Sequence, residues 1–154
     1  MAMKWYKLLT RFFIWAFAVA LLTCGTYGIF NSSDILINAD PFAGINHPTI
    51  EKIVIITGIM MICVALLAII SGIALLKRKR SAPKLLTRTL VLWTAVSAFY
   101  FFTTMIHFAT HSGKPTFTLL LFGILFFILS MAPSVTALIL NIAYFKNRTQ
   151  LFNK

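Results

Sequence analysis

Residues 53–76 read IVIITGIMMICVALLAIISGIALL, and KRKR follows at once at 77–80. No charged side chain interrupts the stretch. As an α-helix it reaches about 36 Å at 1.5 Å per residue, more than the roughly 30 Å of a bilayer's hydrocarbon core. A barrel strand is excluded, because barrel strands alternate apolar and polar residues over about 10 positions and this stretch does not alternate. In hydrocarbon every backbone N–H and C=O must be paired within the segment, so a run of this kind spans as a helix. The abrupt basic stop marks the end held on the cytoplasmic side.

Working outward, three more runs of the same kind flank it. They cover 12–30, 89–110 and 116–145 and are again free of Asp, Glu, Lys and Arg. The expected fold is an all-α integral membrane protein, an antiparallel four-transmembrane-helix bundle with both termini inside (N-in/C-in), forming one membrane domain over 1–154. Composition agrees. The chain is 60% hydrophobic and 11% charged, where soluble domains carry about 25% charged residues, so polar side chains are too few to cover a water-soluble particle. The fourth run exceeds the roughly 20 residues a span needs and is expected to tilt, bend or protrude.

The net charge of +11 suggests nucleic-acid binding only until its placement is read. Lys4, Lys7, Arg11, the run Lys77–Arg80, Lys84, Arg88, Lys146, Arg148 and Lys154 fall in segments assigned to one side. The other side, including the loop 31–52, holds Lys52, Lys114 and all three acids: Asp34, Asp40 and Glu51. This is a topology signal, and it puts the basic loop 77–88 in the cytoplasm with both termini. The partners it implies are the bilayer itself, with anionic lipids at the cytoplasmic face, and no nucleic acid. Trp5, Tyr6, Tyr27 and Tyr144 fall near run ends, where aromatic anchors belong. In length and layout the chain resembles small bacterial tetraspan proteins, which implies a bacterial inner (plasma) membrane; no motif narrows the resemblance to a family.

Three constellations are candidate sites. Ala16, Ala20, Cys24 and Gly28 repeat every four residues in the first run, and Ala65, Ala68 and Gly72 make a comparable seam in the second. Small side chains in a line let another backbone approach closely, either a helix of the same bundle or another subunit. Phe13, Trp15, Phe17 and Leu21 then suit lipid or partner grooves. In the fourth run Ser130, Ser134, Ala137 and Asn141 share a face that Pro133 interrupts, which reads as interhelical hydrogen bonding or as the lining of a cavity. His107 and His111 stand four residues apart and His47 lies in the outer loop, so the three supply enough imidazoles for Zn²⁺ or Cu²⁺; interfacial loop hydrogen bonding is the plainer reading.

What is missing constrains function more. No ionisable Asp, Glu, Lys or Arg lies within a run, which argues against ion-coupled transport. No CxxC, Gly-rich phosphate loop, HExxH or Ser/His/Asp set occurs. Cys24 and Cys63 form no disulfide framework. The stretch Leu21-Leu22-Thr23-Cys24 after a basic start has the layout of a lipoprotein signal, but Thr23 departs from the usual small residue and retention as an anchor is expected. No cofactor is expected. The functional expectation is a non-enzymatic membrane protein acting by helix–helix association, as an accessory, regulatory or immunity-type subunit of another membrane protein or as a homo-oligomer. The alternatives are a homo-oligomeric channel or carrier for a neutral or lipidic solute along the Ser130–Asn141 face, and an extracytoplasmic metal-binding protein.

Overall fold

The computed structural model describes residues 6–32, 48–111 and 117–146, and among them every element is helical, with no strand. A π-helical turn, Leu9–Phe13, leads into α1, Ile14–Phe30; α2 is Pro48–Leu76, α3 Ala82–His111 and α4 Phe117–Lys146. Three segments are long and apolar enough to cross a membrane: Tyr6–Phe30, Glu51–Leu76 and Ala82–Ile106. Helix α4 is 30 residues long and runs without a break across Pro133.

Two of the helices outrun the apolar stretches that announce them. Helix α2 starts at Pro48, within the expected outer loop 31–52, and α3 starts at Ala82, within the basic loop 77–88. Helix formation does not stop where apolarity stops, and proline is at home in a first turn because the leading N–H groups have no intrahelical partner. The α2–α3 connection is accordingly very short. It is closed by a Schellman motif: the Lys79 N–H donates to Ala74 O and the Arg78 N–H to Leu75 O, both at 3.0 Å. The motif requires a left-handed residue after the helix, and Arg78 supplies it with φ 49°.

Neighbouring helices pack in opposite directions, as the residue pairs show. Gly25 meets Gly58, Gly28 meets Val54 and Gly72 meets Ile14, so α1 and α2 are antiparallel. The Ser71 and Thr89 hydroxyls lie 2.9 Å apart between α2 and α3. The Trp93 indole N–H donates to Ser134 Oγ at 3.0 Å between α3 and α4, and Phe101 stacks on Phe127 with centroids 4.5 Å apart farther along the same pair.

The buried face of α1 is Ile14, Ala18, Leu21, Gly25 and Gly28, a 4-3-4-3 spacing that keeps one stripe on α2. At its centre the two backbones touch. A Cβ at Gly25 would lie 2.8 Å from the carbonyl oxygen of Gly58, and a Cβ at Gly58 would lie 2.8 Å from that of Gly25. Helix α2 is the central element. Gly58 and Gly72 face α1 while Ser71 faces α3, and Ala65 and Ala68 are fully buried.

Two apolar clusters result. Leu21, Val64, Ala65 and Val96 join α1, α2 and α3 at mid-height, with Phe17 and Trp93 packed against them. Leu9, Ile14, Leu75, Leu86, Leu90 and Phe145 gather the basic end of all four helices. The exterior is apolar as well: Phe12, Val19, Ile70, Ile106 and Ile139 are all more than half exposed. Hydroxyls on this surface are returned to their own helix, Thr23 to Val19 O, Thr26 to Leu22 O and Thr104 to Tyr100 O, at 2.7–2.9 Å. That arrangement leaves no unpaired hydroxyl facing lipid at those positions.

Candidate functional site

The four-residue line on α1 divides. Gly28 is buried against Val54 of α2, whereas Ala16, Ala20 and Cys24 are exposed. The reason is helical pitch. Each four-residue step overshoots a full turn by about 40°, so over three steps the line slides about a third of the way round the helix. Its C-terminal member lies in the α2 contact and its earlier members turn away from it. Leu21, read with Phe13, Trp15 and Phe17 as suited to lipid or partner grooves, is in the core, 3% exposed; Trp15 and Phe17 are half-buried and Phe13 is exposed.

On α2 the seam lies inside the fold. Ala65 and Ala68 are 0% exposed, and Gly72 receives Ile14 Cγ2, 3.0 Å from where a Cβ would stand, with the Trp15 indole at 3.5 Å. The π turn sets this contact up. Its widened repeat joins the Ile14 N–H to Leu9 O, while the Trp15 indole N–H donates to Thr10 O at 2.9 Å, fixing the ring over Gly72.

The polar stripe of α4 faces its neighbours where it is described. Ser134 accepts from Trp93, and Trp93 also stands edge-on to Phe17 at 5.7 Å, so one indole ties α1, α3 and α4. Asn141 is 3% exposed; its Nδ2 donates to Ala137 O at 2.7 Å and its Oδ1 has no partner. The α3–α4 register puts Asn141 level with Leu86 and Thr87. The Ser130 side chain lies outside the described residues, as do His47 and the side chains of His107 and His111. Among the described residues no group of three His, Cys, Asp or Glu is placed to hold a metal ion, and Cys24 and Cys63 are free and exposed.

Most of the described cations gather at one end. Lys7 and Arg11, the run Lys77–Arg80, Lys84 and Arg88, and Lys146 are exposed where the N-terminal segment, the α2–α3 turn and the end of α4 converge. The Tyr6 hydroxyl donates to Leu75 O, the carbonyl that also accepts from the Arg78 N–H, and it interacts with the Arg78 guanidinium and the Tyr144 side chain. At the far end Ser32 Oγ donates to Glu51 Oε1 at 3.4 Å, linking the end of α1 to the start of α2.

Three features escaped sequence reading: the Gly25–Gly58 crossing, the Trp93 junction and the Tyr6–Leu75 tie. Gly25 and Gly58 carried a signal in their composition, since glycine within an apolar helix marks close approach. The other two depend on interhelical register.

These elements define a class, a helical membrane protein whose buried faces are built from small residues and whose exterior is apolar. Comparison of the chain with protein-family models, with curated proteins and with solved structures finds no match.

Proposed function

We propose that the chain spans a bacterial inner membrane four times, N-in and C-in, and acts by docking the outward face of α1 onto another membrane protein. One observation carries the reading. The opposite face of α1 is filled by α2, yet Ala16, Ala20 and Cys24 stand exposed. In hydrocarbon a line of small side chains gains little from lipid and much from a second backbone that can approach closely. Absence of acid–base groups from the apolar runs fits a subunit that works by contact, in an accessory, regulatory or immunity-type role.

Four spans follow from adding α4, whose 30 residues reach about 45 Å, to the three segments above. The orientation rests on the basic residues gathered at one end. Cysteine placed at Lys79 should react with a membrane-impermeant maleimide only after cells are opened; labelling in intact cells would reverse the topology.

The association test is copurification from native membranes with Ala20→Leu. The variant should fold normally and lose its partner. Gly72→Leu is the contrasting control, because Gly72 packs inside the chain, and it should lower stability first. A protein that emerges alone with Ala20 intact, or keeps its partner with Ala20→Leu, overturns the reading.

A further inference from the structure

The basic end carries charge that the described part of the chain does not answer. The one described acid, Glu51, lies at the far end of α2 beside Ser32. Topology control needs only that positive charge be present near a span; here the charge is also held in place. The run Lys77–Arg80 is displayed from a turn closed by the two Schellman bonds and by Ala82 N–H to Lys79 O at 2.9 Å. Arg78 occupies its left-handed position with φ 49°, and its guanidinium is engaged by the Tyr6 hydroxyl, so the cations left to face outward from the turn are Lys77, Lys79 and Arg80. Lys84 and Arg88, one helical turn apart on α3, extend the display, and Lys7 and Arg11 flank it from the N-terminal segment.

We infer that this end is a docking surface for the phosphate headgroups of anionic phospholipids, which provide the missing countercharge. The occupant follows from charge complementarity and from position. The cations sit where apolar exteriors of the helices end, at headgroup level, and anionic headgroups are the counter-surface present there. The inference rests on the spanning reading proposed above.

The test uses the full chain in vesicles with brominated lipids, which quench the chain's tryptophans on contact. Brominated phosphatidylglycerol should quench about fivefold more effectively than brominated phosphatidylcholine at equal mole fraction. The triple variant Lys77→Gln/Lys79→Gln/Arg80→Gln should lower the ratio, whereas Lys52→Gln at the other end should leave it unchanged; a triple variant with the unaltered ratio overturns the inference. Lys84→Gln/Arg88→Gln carries the same expectation as the triple variant and stands in for it if the turn does not fold. Equal quenching by the two lipids in the unaltered protein overturns the inference and leaves the spanning reading intact. So does displacement of the anionic lipid by inorganic phosphate beyond that by chloride at matched ionic strength, which would mark a site for the free ion. Quenching by neither lipid overturns the spanning reading and the inference together.

Discussion

Gly25 and Gly58 set the distance between α1 and α2. Each lacks the Cβ that would meet the other's carbonyl oxygen at 2.8 Å, and the obstruction is backbone, which cannot swing aside as a side-chain tip can. Gly25→Ala should therefore separate the helices and destabilise the fold by about 1–3 kcal/mol, the usual range for overpacking. Gly28→Ala is the matched comparison, since its added carbon would find Val54 Cγ1 at an ordinary 3.7 Å. Reversible unfolding in mixed micelles measures the difference, and equal stability of the two variants would remove the close crossing from the account. Both glycines are visible in the sequence. Their partnership is not, because the line Ala16–Ala20–Cys24–Gly28 is equally visible and only the 4-3 spacing of the real contact face tells the two apart. A strict four-residue repeat looks like a stripe in one dimension and winds off it in three.

At the scale of the helix, polar contacts inside the apolar core tie α2 to α3 and α3 to α4. Ser71 and Thr89 are 0% and 1% exposed; their hydroxyls meet at 2.9 Å while each also lies against a carbonyl of its own helix, Leu67 O and Leu85 O. Because those carbonyls remain as partners when the other hydroxyl is removed, the interhelical term should be small. A double-mutant cycle with Ser71→Ala and Thr89→Val should give a coupling of about 0.6 kcal/mol, typical of hydrogen bonds between membrane helices; a coupling near zero would show that the two hydroxyls are merely adjacent. Element positions were legible because hydrocarbon thickness and backbone pairing leave little choice over 53–76 and its neighbours. Boundaries were less so, since Pro48 and Ala82 begin helices in polar sequence. The pairing of Trp93 with Ser134 was illegible for a further reason: the register between two helices is a property of their packing, which periodicity within either one does not encode.

Over the whole molecule the packing follows chain order, α1 on α2, α2 on α3 and α3 on α4, with Phe17 against Trp93 bracing α1 to α3. The apolar exterior and the concentration of cations at one end are what a bilayer asks of such a chain. Ala16, Ala20 and Cys24 do not follow from that demand, because a lipid-facing surface is better filled by bulk than by small side chains. That mismatch is the basis for reading α1 as an interface. The most direct measurement places a photo-crosslinking amino acid at Ala20 in the chain and irradiates native membranes, with Ile70 of α2 and Ile139 of α4, also exposed, as comparison sites. The account predicts a discrete protein adduct from position 20 and only lipid products from 70 and 139. Lipid products alone from position 20, or the same adducts from all three sites, would contradict it.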